Sequence, residues 1–226
     1  MLCIIPARAD SKGLKNKNIL KFNKKPLIYY TIKAALKSKK IKRVVVITDS
    51  KKIANISKKI GAEVPFLRPK KLASSSSMVI DTYSYVIERL NKGNKKKIDE
   101  FISLLPTAPL RDFKDIDNAI NLFKRKKADS VISMTEANYP IHWNKLLKRD
   151  NKIYPYSKYF DAISNRQVYE KTFIPNGAIY IFNYKKLTKS RNYYFKKTYA
   201  YLMPKEKSVD IDDIFDFKLA ESLYKL

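Results

Sequence analysis

The sequence predicts an α/β fold with a mostly parallel central sheet and helices on both faces. Short apolar runs of four or five residues alternate with segments whose apolar residues recur at helical spacing. This alternation is typical of β-α-β units, in which helices cover a parallel sheet on both sides. The chain has 226 residues, 45% of them hydrophobic, which is enough for one sizeable core. We therefore expect a single domain, residues 1–226.

Each predicted strand is an apolar run bounded by turn residues. Strands are expected at 2–5, 44–47, 63–66, 101–105, 130–134, 178–183 and 200–203. Helices are expected where apolar residues lie three and four apart, at 26–35, 53–60, 78–90, 112–124 and 213–224. Gly61 marks one helix end, and Asp112 is an N-cap. Residues 136–175 include a stretch in which apolar residues recur at neither helix nor strand spacing, and we interpret them as an irregular arm within the domain.

The composition indicates which cell compartment and which classes of partner to expect. The net charge is +27, and 39 of the 48 basic residues are lysines spread along the whole chain. Such a spread favours a solvated surface over a specific basic patch, so we expect neither a nucleic acid nor a membrane partner. No apolar run approaches the roughly 18 residues of a membrane span. Cys3 lies in an apolar run and is expected to be a reduced core residue, which indicates a cytoplasmic protein.

A basic loop follows the first predicted strand. Residues 1–25 contain seven basic side chains and one acid, and all seven bases lie between Arg8 and Lys25. Serine, glycine and exposed backbone N–H groups in 11–13 can wrap a polyphosphate, while Arg8 and Lys17 neutralise it. The loop matches neither the Walker pattern nor G-x-G-x-x-G. A plain basic surface loop remains the alternative.

An acidic cluster near the carboxyl end is the local exception in this basic chain. Residues 210–216 contain four aspartates and no base. Asp210 and Asp212 alternate on one side of an extended segment, which suits Mg²⁺. The alternative is that Asp212 or Asp213 only caps the terminal helix. A polyphosphate loop, magnesium carboxylates and an α/β sheet together indicate nucleotidyl transfer.

Several motifs then resemble those of the acylneuraminate cytidylyltransferases, in the same order and over nearly the whole chain. They are the loop 5–18 with Ile5-Pro6-Ala7-Arg8 and Lys17-Asn18, Thr48-Asp49, Leu67-Arg68-Pro69 with Leu72-Ala73-Ser74, Pro106-Thr107-Ala108-Pro109-Leu110-Arg111, Pro175-Asn176-Gly177-Ala178-Ile179-Tyr180, and Asp210-Ile211-Asp212. The resemblance implies a Rossmann-like nucleotidyltransferase that joins CTP to the anomeric hydroxyl of an α-keto acid sugar, a sialic-acid-like nonulosonic acid, and releases pyrophosphate. It also implies Mg²⁺ as cofactor and a homodimer whose arm, 136–175, reaches the partner's site.

The resemblance further implies a role for individual residues. The catalytic residues would be Arg8, Lys17 and Asp212, and the metal ligands Asp210 and Asp212. The nucleotide would contact Ala7, Arg8, Ser11, Lys17, Asn18, Arg68, Ala73 and Ser74. The sugar would contact Leu105, Thr107, Arg166, Gln167, Asn176, Tyr180, Tyr193 and Tyr194. No protein general base is evident from the sequence.

Departures from the family pattern concentrate on the sugar side. Leu105 stands where the family commonly has Gln, Ile174 where several members have Arg, and His142 where some have Lys. We interpret His142 as a member of an aromatic cluster rather than a sugar contact. In addition, Asp10 brings a negative charge to the phosphate loop, and Ser75 replaces a common Asp. The acceptor is thus open among legionaminic acid, pseudaminic acid and other 3-deoxy-ulosonic acids.

Three other functions remain as alternatives. A nucleic-acid-binding protein would use the charge of +27, but it would leave the acidic cluster without a purpose. A catalytically silent sugar-nucleotide binder would bind CTP without releasing pyrophosphate. A nucleotidyltransferase for an ordinary sugar 1-phosphate fits the motifs less well.

Overall fold

A six-stranded sheet lies at the centre of the computed structural model, which describes residues 1–9, 13–72, 77–156, 165 and 169–225. The strands are β1 (Leu2–Pro6), β2 (Lys21–Phe22), β3 (Lys25–Pro26), β4 (Arg43–Ile47), β5 (Glu100–Ser103), β6 (Ser130–Glu136), β7 (Lys145–Leu147), β8 (Ile153–Pro155), β9 (Phe173–Asn183) and β10 (Thr198–Leu202). The α-helices are α1 (Leu27–Lys37), α2 (Lys51–Ile60), α3 (Val79–Asn91), α4 (Phe113–Arg125), α5 (Tyr184–Ser190) and α6 (Ile214–Tyr224).

The strand order in the central sheet is β10-β6-β9-β5-β1-β4. Strand β9 runs antiparallel to both of its neighbours, β5 and β6, and the other pairs are parallel. The prediction of a mostly parallel sheet is therefore confirmed. The strand predicted at 178–183 begins earlier, at Phe173, and it runs antiparallel to its neighbours instead of parallel to them. It can pair directly with β6 without a crossover helix because the two strands are antiparallel.

Alternate residues of the buried strands fill the two sides of the sheet. In β1, Cys3 and Ile5 pack among the buried residues of α1, α2 and α4, whereas Leu2 and Ile4 pack with those of α3 and α5. This alternation follows from the two-residue period of a strand and confirms helices on both faces. Cys3 is a buried free cysteine, as expected, and burial raises the pKa of its thiol to about 12.

Local capping interactions fix the ends of the helices. Asp112 and Asp213 each accept bonds from the first turn of the following helix, α4 and α6, and each forms a capping box. Gly61 ends α2 with a φ of 113°, a left-handed conformation that glycine adopts without strain. The predicted caps at Asp112 and Gly61 are confirmed. Asp213 takes the capping role that the sequence left as an alternative.

Some elements differ from the sequence-based expectation. The predicted strand at 63–66 is reduced to one bridge between Glu63 and Val45, and β5 ends at Ser103 instead of continuing to Leu105. The arm contains a short hairpin, β7 and β8. Its strands are mostly exposed, so the sequence lacks the alternation of apolar and polar residues by which a strand is recognised. Helix α5 was not predicted because Leu187 is its one buried residue. No helix in the described part of the chain is long and apolar enough to cross a bilayer.

Candidate functional site

The segments that follow β1, β4 and β5 meet at the carboxyl edge of the sheet, where parallel α/β sheets bind their ligands. The acidic segment joins them there, because the backbone N–H of Ile211 donates to the Thr107 carbonyl oxygen at 2.8 Å. A Cβ placed on Gly13 would overlap the Asp212 carbonyl oxygen, so the first loop also passes against this segment. The beginning and the end of the chain therefore converge on one edge.

Lys17 makes this convergence a direct contact between side chains. Its Nζ donates to the Ile211 carbonyl oxygen at 2.5 Å and to Asp212 Oδ1 at 2.9 Å. Lys17 is buried, whereas the side chain of Asp212 is 83% exposed. The ammonium group is consequently fixed in place by the protein, and the carboxylate keeps an open side toward solvent.

Asp210 is the more enclosed of the two predicted metal ligands. It accepts a hydrogen bond from the side chain of Thr107, and a Cβ at Gly177 would overlap its carboxylate. Burial raises the pKa of Asp210 above its ordinary value, and the charge of Asp212 raises it further. The hydrogen bond from Thr107 and the Lys17 ammonium act in the opposite direction. Ionised Asp210 is thus destabilised where it stands, so a cation beside it would be favourable.

The donor set of this pair suits magnesium. Two carboxylates on neighbouring positions offer hard oxygen ligands, and Mg²⁺ commonly takes one or two carboxylates and fills its other positions with water and phosphate oxygens. Within the described residues there is no cluster of three or more His, Cys, Asp or Glu side chains that could hold a metal ion. The residues present therefore fit a magnesium ion shared with a phosphate better than a fully protein-bound ion.

A second group of cations lines a small cavity beside the loop that follows β1. Arg8, Arg68 and Thr82 contribute to this cavity of about 260 Å³. Arg68 is buried with its Nη2 3.6 Å from Asp49 Oδ1, and within the described residues its Nε has no hydrogen-bond partner. Burial lowers the pKa of Arg68 and the charge of Arg8 lowers it further, while Asp49 raises it. Two guanidinium groups at one small cavity favour an anionic ligand.

Asp49 and Asn18 hold the backbone of this loop. Asp49 Oδ1 accepts from the Ala9 N–H at 3.0 Å, and Asn18 Nδ2 donates to the Arg8 carbonyl oxygen at 2.8 Å. The backbone N–H of Ala7 donates a hydrogen bond to the Ile47 carbonyl oxygen at 2.9 Å. Asp49 was absent from the predicted site, although the Thr48-Asp49 motif at a strand end was the available signal. A nucleotide contact by Asn18 or Ala7 stays a prediction.

Three of the predicted sugar residues come together in the part of the site that contains the predicted metal ligand Asp210. The rings of Tyr180 and Tyr193 lie 5.9 Å apart, centre to centre. Burial raises the pKa of Tyr180 to about 12, with further contributions from Asp210, Tyr193 and Tyr194. Asp210 itself lies against β9 at Gly177, three residues before Tyr180. The aromatic pair of Tyr180 and Tyr193 is therefore on the strand that Asp210 contacts, or packs against it.

Asn176 and Leu105 are used mainly to support the structure around the site. Asn176 is buried; its Oδ1 accepts from Ser133 Oγ at 2.6 Å and its Nδ2 donates to Ser208 Oγ at 2.8 Å. The carbonyl oxygen of Leu105 accepts from Arg111 at 3.4 Å. A substrate contact by either residue stays a prediction. Ser11, Ala73, Ser74, Arg166 and Gln167 lie outside the described residues, as do Asp10 and Ser75.

Arg111 ties together the segments that carry these side chains. Its Nη1 donates to the Ala178 carbonyl oxygen at 3.1 Å as well as to Leu105, and its Nη2 donates to Thr31 Oγ1 at 2.8 Å. The side chain is fully buried, and burial lowers its pKa to about 10. From the sequence, Arg111 was only the last residue of a motif and had no predicted role of its own.

His142 packs against an aromatic ring, as the sequence suggested. It stacks on Tyr169 with ring centres 4.4 Å apart, while Trp143 lies next to Tyr139 at 6.2 Å. The interpretation of His142 as a member of an aromatic cluster is therefore supported, with Tyr169 as its partner instead of Trp143.

Comparison with known proteins gives consistent results along the whole chain. Residues 2–226 match the model of a protein family described as Cytidylyltransferase. An N-acylneuraminate cytidylyltransferase of Escherichia coli is 34% identical over 97% of the chain, which spans 51% of that relative. A post-translational flagellin modification protein B of Campylobacter coli is 35% identical over 100% of the chain and 95% of the relative. A CMP-N,N'-diacetyllegionaminic acid synthase of Legionella pneumophila is 34% identical, over 100% and 97%.

A solved structure shares the fold despite low sequence identity. The structure of CMP:2-keto-3-deoxy-manno-octonic acid synthetase complexed with CTP superposes with a TM-score of 0.73 at 14% identity. The match covers 99% of this chain and 98% of that one. It supports the Rossmann-like nucleotidyltransferase fold.

The contact between Gly177 and Asp210 can be tested by adding one methyl group. Gly177 has a φ of 72°, and Gly93 has a nearly equal φ of 78° but nothing within 4 Å of an added Cβ. We expect Gly93→Ala to lower the free energy of unfolding by about 1 kcal/mol through backbone strain alone. Gly177→Ala should cost about 1–3 kcal/mol more, because the methyl group displaces the Asp210 carboxylate. Urea unfolding measures both values, and equal losses would contradict the contact.

Proposed function

Because the chain belongs to the cytidylyltransferase family, we propose that it transfers CMP from CTP to the anomeric hydroxyl of a sialic-acid-like nonulosonic acid and releases pyrophosphate. The observation that carries this proposal is the contact of Lys17 with Asp212. It joins the proposed phosphate-binding loop to the proposed metal carboxylates, at the edge where a triphosphate needs both. The relatives from E. coli and L. pneumophila are named for CMP activation of two such acids.

In the proposed reaction, the anomeric oxygen attacks the α-phosphorus of CTP, and the bond from that phosphorus to the leaving pyrophosphate breaks. Arg8 and Lys17 neutralise the charge on the phosphates, and Arg68 lines the nucleoside pocket. Lys17 is well suited to this role, since its bonds to Ile211 and Asp212 hold the ammonium in place before the ligand arrives. Such preorganised charge needs no rearrangement during the reaction.

We assign Asp210 and Asp212 as the ligands of a magnesium ion. When bound, the ion supplies positive charge to the phosphate oxygens of the nucleotide. The chain contributes the positions of the two carboxylates. Thr107 and Gly177 fix Asp210, while Lys17 fixes Asp212 and leaves its outer side open.

The sugar is assigned to the aromatic side of the site. Tyr180, Tyr193 and Tyr194 lie together beside Asp210, so a sugar in contact with them is close to the proposed metal and α-phosphate. Leu105 and Ile174 bring apolar side chains to positions where related enzymes commonly have Gln or Arg. We therefore place legionaminic acid, pseudaminic acid and other 3-deoxy-ulosonic acids beside N-acetylneuraminic acid as acceptors. We also place the reaction in the cytoplasm, without a nucleic acid or membrane partner.

A panel of acceptors tests the proposed reaction. The purified protein is given CTP and Mg²⁺ with each acid in turn, and pyrophosphate release is followed. We expect release with at least one nonulosonic acid and none without an acceptor. If CTP binds but every acid is inert, the assigned reaction is wrong and the chain is a nucleotide binder. Release with a sugar 1-phosphate instead would assign it to another class of nucleotidyltransferase.

The metal role of Asp212 is tested against its neighbour in the chain. Asp212→Asn keeps an acceptor for Lys17 but removes the charge, so we expect turnover to fall at least about 100-fold, with the KM for CTP changed by less than about threefold. Asp213→Asn is the matched control. It removes the same charge at the adjacent residue, and asparagine can still cap the helix. Equal loss of turnover in the two variants would contradict a specific role for Asp212.

We further propose that the arm, residues 136–175, packs against a second copy of the chain. The β7–β8 hairpin pairs with no other strand in the described structure, and two isolated strands are at best marginally stable in water. Leu147 and Ile153 are 69% and 65% exposed on this hairpin, and Tyr139 and Tyr156 are also exposed. Large apolar side chains exposed on an otherwise unpaired hairpin are typical of a protein interface.

Charged substitutions on the hairpin test the dimer. Light scattering should give twice the chain mass for the wild-type protein and the mass of one chain for Leu147→Glu/Ile153→Glu, since both carboxylates would be buried at the interface. Leu202→Glu on β10 is the control, because Leu202 is 58% exposed but lies outside the arm. A wild-type monomer, or a dimer that survives in the double variant, would refute this interface.

A further inference from the structure

A cavity away from the proposed active site lies between α1, α6 and the segment before α4. Its volume is about 580 Å³, within the usual range of small-molecule sites. Pro109 and Leu110 form one side, and Leu223 forms part of another. None of the described residues that line it belongs to the proposed nucleotide, sugar or metal sets.

The walls of this cavity are largely aromatic. Tyr29, Tyr30, Phe113 and Tyr224 all line it. The rings of Tyr30 and Tyr224 lie 5.0 Å apart with an edge-to-face angle of 76°, and Tyr29 meets Tyr30 at 5.4 Å and 82°. Rings in this arrangement present both faces and edges, which suits a flat aromatic ligand.

Exposed lysines stand at the mouth of the cavity. Lys33 and Lys37 lie four residues apart on α1, so they share one face of the helix. The Nζ of Lys33 is 5.9 Å from the centre of the Tyr29 ring, and that of Lys37 is 4.4 Å from the centre of the Phe113 ring. Both ammonium groups are thereby held beside the aromatic walls, where they can reach an anionic group on a bound ring.

The guanidinium of Arg111 adds a buried positive charge to the lining. Within the described part of the chain, Nε of Arg111 has no hydrogen-bond partner, and the nearby acids Asp112 and Asp115 form their ion pairs with Lys207 instead. A buried cation without a carboxylate partner at ion-pair distance is costly, and an anion placed next to it offsets that cost. The described lining carries four basic side chains, Lys33, Lys37, Arg111 and Lys207, and two acidic ones, Asp112 and Glu206, so positive charge is in excess.

We propose that this cavity binds a flat aromatic ring that carries an anionic group, of the kind found in a nucleoside monophosphate. The aromatic walls hold the ring, and Lys33, Lys37 and Arg111 attract the anion. The site is separate from the proposed CTP site, so both can be occupied at once. We expect a bound ligand to affect the backbone near the proposed active site, because Arg111 also donates to the carbonyl oxygens of Leu105 and Ala178.

Calorimetric titration with adenosine 5′-monophosphate in the presence of saturating CTP tests the proposal. The variant Lys33→Glu/Lys37→Glu should weaken binding of the monophosphate at least about tenfold. The matched control is Lys58→Glu/Lys59→Glu, two exposed lysines on α2 that give the same change in net charge. Its affinity should equal that of the wild-type protein. Circular dichroism checks that both double variants are folded.

Other outcomes would overturn the site. These are no binding of the monophosphate at millimolar concentration, equal weakening in the two double variants, and binding that CTP abolishes. Inorganic phosphate is the second probe: if it binds as tightly as the monophosphate, the aromatic walls contribute nothing and the proposed ligand class is wrong. None of these measurements requires CMP transfer, so the outcome is independent of the acceptor assay.

Discussion

The bond network of Lys17 is the constraint on which the rest of the site depends. One ammonium group holds the acidic segment through Ile211 and Asp212, although these residues lie almost two hundred positions away in the chain. Parallel strands make this possible, since every segment that follows a parallel strand begins at the same edge of the sheet. A cationic side chain and an acidic segment are therefore brought together by topology before any ligand is present.

Support for Asp210 comes from a different part of the fold. Gly177 lies on β9, and the absence of a side chain there lets the carboxylate approach the strand. Thr107, in the segment after β5, contributes a hydrogen bond. Arg111 then connects the two segments by binding the carbonyl oxygens of Leu105 and Ala178. Asp210 is consequently placed by backbone geometry more than by salt bridges, which suits the role of cation ligand that we propose for it.

The sequence was sufficient to predict most of the elements, because buried strands and amphipathic helices leave a regular spacing of apolar residues. The meeting of Lys17 and Asp212 followed instead from the charges of the two segments and from the family resemblance. The sequence could not show that β9 is antiparallel, since a strand buried on both faces looks the same in either direction. The roles of Asp49 and Arg111 were also missed, because both act through groups that are distant in the sequence. Asp49 reaches the Ala9 N–H and Arg68, and Arg111 reaches Thr31 and two carbonyl oxygens. For Asn176 the motif suggested a contact with the ligand, whereas the hydrogen bonds in the described structure join it to Ser133 and Ser208.

The position of β9 also has a consequence for how the chain folds as it is synthesised. Strands β5 and β6 are made early, yet each of them pairs with β9 rather than with the other. Until residues 173–183 have left the ribosome, β5 has a free edge and, in the described structure, no other strand pairs it with β6. The nascent chain therefore exposes an apolar strand edge while the arm is being translated, and binding by chaperones during that interval would protect it from aggregation.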